Sequence, residues 1–166
     1  MRVGWVLSTI AAAAIALPAV AALVEKKPPY FASLNARSAF MRTGPGRNFP
    51  VSWKYQRQNL PVKVIENYKE KGGGALWRKV EDPGGTQGWM QAMLVSEQRT
   101  AIVMGDVVEL RDSPRFAGKV NWRAEPGVVG RISQCGKGWC YLDVMGRGGF
   151  VEISHLWGVD AAETIE

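Results

Sequence analysis

The sequence states nearly the same pattern twice. At Met41-Arg42-Thr43-Gly44-Pro45 an apolar-Arg-x-small-Pro turn leads through a Gly- and Val-rich middle to a strand signal at Trp77 and another at Gly88-Trp89-Met90. At Leu110-Arg111-Asp112-Ser113-Pro114 the same order begins again and runs to Trp139 and to Gly149-Phe150-Val151. Self-similarity of this kind marks tandem units, each one a supersecondary piece repeated along the chain. Two such units in 166 residues are each small. Small domains bury a low share of their surface, so the two are expected to pack on each other.

Within each unit the texture is that of short strands and turns. Phe49–Tyr55 and Leu60–Glu66 follow the first turn, and in the latter Val62, Val64 and Glu66 share one face while Lys63 and Ile65 share the other. Leu76–Glu81 and Gly88–Gln91 flank the turn Asp82-Pro83-Gly84-Gly85, and the Gly-rich segment Lys69–Gly74 reads as a hairpin loop. Thr100–Val103 reads as a further strand that closes the first unit. The second unit repeats the order through Val107–Arg111, Lys119–Ala124, Gly127–Ile132, Trp139–Val144 and Phe150–Ile153, with His155–Gly158 closing it. No stretch after the first twenty or so residues sustains a helical period. Short, regularly spaced strands predict an all-β fold of small barrels or sandwiches.

The N-terminus has a different character. Met1-Arg2 precedes an apolar run from Val3 to Val20, and Ala19-Val20-Ala21 offers the small-x-small pattern of a cleavage site. That combination reads as a secretory signal peptide over residues 1–21. An uncleaved anchor is the alternative; once the signal is cleaved, no stable membrane anchor is expected. The expected organisation is signal 1–21, Pro-rich linker 22–33, first unit 34–103, second unit 104–159 and tail 160–166. The location is then periplasmic or secreted. The formal net charge is +6, but basic and acidic residues are interleaved and no basic run occurs. An exported chain does not meet nucleic acid, so none is expected as a partner.

The side chains that carry chemistry are few. Cys135 and Cys140 are the two cysteines, separated by Gly136-Lys137-Gly138-Trp139. A hairpin there sets them on adjacent strands, and an even pair in an oxidising compartment invites a disulfide. Free thiols and redox chemistry are the alternatives. His155 is the single histidine, without a serine elbow or a free thiolate to form a catalytic set. No catalytic residues, no metal site and no cofactor are expected, so the chain is not expected to be an enzyme.

The paired turns, Met41-Arg42-x-Gly44-Pro45 with Gly88-Trp89 and Leu110-Arg111-x-Ser113-Pro114 with Gly149-Phe150-Val151, resemble the bacterial SH3-like domain in its two-copy secreted form. The likeness covers roughly residues 35–159. It implies two tandem five- or six-stranded, partly open SH3-like β-barrels used for attachment or recognition, often at cell-wall peptides. By the same resemblance a groove lined by Trp53, Tyr55, Trp89 and Trp122, with Arg42 and Arg111 as cations, would take the ligand. The tryptophans can equally serve the core, and the arginines can equally bond turn carbonyls. The expected function is therefore a non-catalytic exported binding module for peptidoglycan or envelope peptides. The alternative is an interaction protein that docks an envelope protein without touching the wall. Ser-Pro-Arg and Phe150 replace Gly-Pro-Gly and Trp89 in the second unit, so the first is expected to be the reader and the second its support.

Overall fold

A computed structural model of the chain describes residues 26–166. The expected signal segment therefore lies outside the described residues. The first seven strands are β1 (Tyr30–Leu34), β2 (Ala39–Arg42), β3 (Val51–Tyr55), β4 (Pro61–Lys69), β5 (Leu76–Glu81), β6 (Gln87–Gln91) and β7 (Val95–Ser96). The next seven are β8 (Thr100–Val103), β9 (Val108–Arg111), β10 (Val120–Ala124), β11 (Val129–Gly136), β12 (Trp139–Val144), β13 (Arg147–Glu152) and β14 (Leu156–Trp157). They form two sheets with the same order, β3-β2-β6-β5-β4-β1-β7 and β10-β9-β13-β12-β11-β8-β14. The described residues thus form an all-β pair of tandem SH3-like barrels, and no helix among them is long and apolar enough to cross a membrane.

Each sheet curls around its own core. Buried residues from β3, at one edge, and from β7, at the other, share one cluster: Tyr55 and Val95 pack with Met41, Val62, Val80 and Met90. A flat sheet cannot bring its two edges to one core. The second cluster is built the same way, from Ala124 in β10 and Leu156 in β14 around Leu110, Leu142 and Val151. The period-two pattern explains the choice of residues. Ala39 and Met41 are buried and Phe40 between them is exposed, and Val62 and Val64 are fully buried. A bulge between Val64 and Glu66 breaks that alternation, so Glu66 is exposed and leaves the face it was expected to share with the valines.

Two boundaries and the strand count differ from the sequence expectation. Tyr30–Leu34 lies in the expected linker but pairs with β4 and β7 as a central strand, because its residues are buried along their whole length. Thr100–Val103 was expected to close the first unit. It instead opens the second sheet, pairing with β11 and β14. The seventh strand of each sheet arises because a single 3-10 turn, Ala92–Leu94 or Ile153–His155, folds the chain back onto the sheet's first strand.

The repeated motif has a physical reason. In both copies the arginine reaches across its turn: Arg42 Nη1 donates to the Phe49 carbonyl at 2.7 Å and Arg111 Nη1 to the Gly118 carbonyl at 2.7 Å. The glycine before the aromatic permits closure of the barrel. β2 meets β6 at Arg42↔Trp89, and β9 meets β13 at Arg111↔Phe150. A Cβ on Gly88 would lie 2.9 Å from the Arg42 carbonyl oxygen, and one on Gly149 would lie 2.6 Å from the Leu110 carbonyl carbon. Backbone cannot yield there, so the position takes glycine.

The barrels pack directly on each other. Ile102 of β8 belongs to the first core, with Val129 and Trp157 against it. Arg57 Nη2 donates to the Gly127 carbonyl at 2.7 Å. In the second barrel Cys135 and Cys140 form a disulfide inside the β11–β12 hairpin. The tail is docked as well, with Ile165 N donating to Cys135 O at 3.0 Å.

Candidate functional site

The six residues expected to line one groove fall into four places. Arg42 and Arg111 hold turn carbonyls, as described, and Arg111 also pairs with Glu109 at 2.5 Å. Trp89 is half-buried and meets Tyr68 edge to face, ring centroids 6.2 Å apart. It pairs with Arg42, whereas Trp53 pairs with the adjacent Met41, so the two tryptophans stand on opposite faces of the sheet. Trp53 and Tyr55 do come together, with ring centroids 6.5 Å apart. Trp122 occupies the position of Trp53 in the second barrel: Trp53 pairs with Met41, and Trp122 with Leu110.

These two tryptophans are the most telling of the set. Trp77, with the same side chain, is buried, its Nε1 donating to Glu70 Oε1 at 2.7 Å. Trp53 and Trp122 sit on the edge strands β3 and β10 and remain 56% and 46% exposed. They lie on the core side of their strands, in register with buried residues, yet extend past the rim of the barrel. An indole held there has an apolar face and a donor available to a partner.

What lies beside each indole differs. In the first barrel Tyr55 fills the space under the rim. Its hydroxyl donates to Asp82 Oδ2 at 2.8 Å, while Asp82 Oδ1 accepts from the backbone N–H groups of Gly84 and Thr86. Burial, then the hydrogen bond and charge of Asp82, push the Tyr55 phenol well above its ordinary value. In the second barrel Ala124 and Val144 stand where Tyr55 and Asp82 stand in the first. A cleft of about 280 Å³ opens there, walled by Leu110, Trp122, Ala124, Val128, Val144 and Arg147. The Arg147 guanidinium lies 5.3 Å from the centre of the Trp122 ring.

A second pair of equivalent grooves lies at the turns. The first is lined by Phe40, Arg42, Arg47 and Trp77 and carries two cations. The second, of about 390 Å³, has Phe116 against Trp139 at 5.3 Å, with Glu109 held between Arg111 and Arg123. His155 lies there too, 3.8 Å from Glu152. Among the described residues no cluster of three His, Cys, Asp or Glu side chains could hold a metal ion.

Sequence reasoning missed Asp82, Ala124, Val144 and Arg147. Laying the repeats on each other residue by residue, beyond the turns, would have set Tyr55 against Ala124 and shown the difference.

No curated protein matches the sequence. Solved structures similar to the chain include NlpC2 from Trichomonas vaginalis, at 13% identity over 83% of this chain and 52% of that one with a TM-score of 0.35, and NlpC1 from the same organism, at 12% over 79% and 46% with a TM-score of 0.34. The chain thus spans about half the length of each. The Bacterial SH3 domain model matches residues 35–97 and again 105–158, one match per sheet. The chain belongs to the bacterial SH3 domain family, as two tandem copies.

Proposed function

We propose that this chain is an exported, non-catalytic binding module that recognises peptidoglycan or peptide segments of envelope proteins. The observation that carries the reading is the pair Trp53 and Trp122, set at the same edge-strand position of two otherwise buried cores and left with half their surface in solvent. Folding does not need those faces exposed. Large aromatic faces beside arginine, as at Trp122 and Arg147, suit stacking on a ligand together with contact to a carboxylate. Family membership supports binding as the task. The Cys135–Cys140 disulfide supports an oxidising compartment, the periplasm or the exterior.

The test is co-sedimentation of residues 22–166 with purified sacculi at low and high salt. Pelleting that weakens with salt, and that is lost on Trp53→Ala with Trp122→Ala, supports the reading. If the protein stays in the supernatant while pull-down recovers one stoichiometric envelope protein, wall binding is wrong and a docking role replaces it.

A further inference from the structure

We propose that the cleft beside Trp122 is a specificity pocket for a hydroxyl-free aromatic side chain, on a peptide whose carboxylate meets Arg147. The proposal rests on the reading of the protein as a peptide binder and makes the second barrel, rather than the first, the reader.

The two barrels share one frame and differ in what fills it. In the first barrel Tyr55 packs among Met41, Trp53 and Asp82, close enough that its hydroxyl reaches both Met41 Sδ, at 3.8 Å, and Asp82. The counterparts of those three neighbours, Leu110, Trp122 and Val144, all wall the cleft of the second barrel. The frame around the tyrosine is retained and the ring is gone, because Ala124 supplies only a methyl group. Apolar cavities of about 150 Å³ accept a benzene ring, so about 280 Å³ admits a phenyl ring with part of its backbone.

Two further substitutions define what fits. Asp82 accepts the Tyr55 hydroxyl, but Val144 accepts nothing. A ring seated as Tyr55 is would aim its hydroxyl at Val144, which offers no acceptor where Asp82 does, and this disfavours tyrosine against phenylalanine. Thr86, whose carbonyl accepts from the Asp82 N–H at 3.0 Å, is replaced by Arg147, which pairs with Val144. Among the described residues no carboxylate lies within ion-pair distance of Arg147, and its guanidinium rests on the Trp122 ring. A cation held on an aromatic face beside the apolar wall of Leu110, Ala124, Val128 and Val144 is complementary to a carboxylate beside an apolar side chain. Glu125, exposed on the same wall, disfavours a second acidic group.

The test is an NMR titration of residues 22–166 with N-acetyl-L-phenylalanine, its amide and N-acetyl-L-tyrosine. The indole N–H of Trp122 and the amides of Val144 and Arg147 should shift, and the tyrosine probe should bind about tenfold more weakly. Ala124→Tyr with Val144→Asp rebuilds the pair of the first barrel and should abolish binding without loss of thermal stability. Should that variant not fold, Arg147→Met decides: it should keep phenyl binding and lose the preference for the acid over the amide. Equal binding of the tyrosine probe, shifts confined to the first barrel, or an acid preference unchanged in Arg147→Met overturns the proposal. Sacculus pelleting without probe binding overturns the cleft alone. Probe binding without pelleting overturns the wall reading alone.

Discussion

The ring of Phe31, in the first strand of the described chain, meets the ring of Trp157, in its last strand, edge to face with centroids 5.1 Å apart. The contact joins the two barrels, and Ile102 and Val129 of the second barrel pack against the first core beside it. Neither unit therefore buries its apolar surface alone. Phe31→Ala, at a buried position, should destabilise the protein by about 3 kcal/mol. Tryptophan fluorescence and far-UV circular dichroism should report one coincident unfolding transition for the parent chain. Two separated transitions in the parent would show that the barrels fold independently.

Gly158 lies at the same junction. Its φ is +124°, and a Cβ there would come within 2.9 Å of the Ala101 Cα and 3.2 Å of the Pro61 Cβ. β8 of the second barrel and β4 of the first thus close on it from two sides. Gly158→Ala should lower stability by at least about 2 kcal/mol, from backbone strain together with overpacking. Glu97, exposed at the corresponding place after β7, is the control. Glu97→Ala should shift the urea midpoint by little, and equal effects of the two substitutions would remove the account.

The tail adds a pH-dependent clasp. Arg99 bonds the Glu163 carboxylate and also donates through Nη2 to the Gly158 carbonyl at 2.8 Å. The hydrogen bond from Arg99 holds the Glu163 carboxyl below its ordinary value. A depressed folded value means that the pair stabilises above the ordinary glutamate range and loses that contribution as pH falls through the folded value. Glu163→Gln should therefore reduce stability near neutral pH by about 1 kcal/mol, both partners being partly exposed. In calorimetric scans the difference from the parent should shrink as pH falls below the ordinary glutamate range and through the depressed folded value. A difference that persists there would assign the effect to shape rather than charge.

Much of the architecture was legible because its causes are local. The arginine that clips its own turn and the glycine that lets β6 approach β2 recur in both copies, so Arg42, Arg111, Gly88 and Gly149 announce two like units. Strand ownership was not legible. Thr100–Val103 reads as a strand from its residues, but only its pairing with Val129–Arg131 places it in the second sheet. Tyr30–Leu34 follows Pro28-Pro29 and reads as linker until β4 and β7 flank it. The groove was legible only in part. Trp53 and Trp77 are the same letter, and their opposite exposures follow from an edge strand in one case and a glutamate partner in the other. The arginines chosen as ligand cations are held by turn carbonyls, while Arg147, the cation beside an exposed indole, carries no mark in the sequence.

Cys135 and Cys140 are buried in the β11–β12 hairpin, and the tail bonds to the Cys135 carbonyl beside them. Closing so short a loop restricts the unfolded chain modestly, by about 2 kcal/mol in chain-entropy arithmetic. Cys135→Ala with Cys140→Ala should lower the unfolding free energy read from urea titrations by that amount, plus a smaller contribution from lost packing. Alkylation of the native, unreduced protein should leave its mass unchanged. Labelling of two thiols in protein recovered from its natural compartment would remove both the bridge and the inference of an oxidising location.

The Tyr55–Asp82 pair gives the first barrel an alkaline limit. Burial raises the phenol's titration above its unfolded value, and Asp82 raises it further. A raised folded value means that the contribution is fully present below the unfolded tyrosine value, near 10, and is lost as pH rises beyond it. Tyr55→Phe removes the hydroxyl but keeps the ring. It should destabilise the protein by about 1 kcal/mol at neutral pH, because Asp82 keeps its bonds to Gly84 and Thr86 and is not left unpaired. Above about pH 10 the parent should lose stability faster than the variant, so that their unfolding midpoints converge. Parallel loss in the two proteins would show that Tyr55 does not govern the alkaline transition.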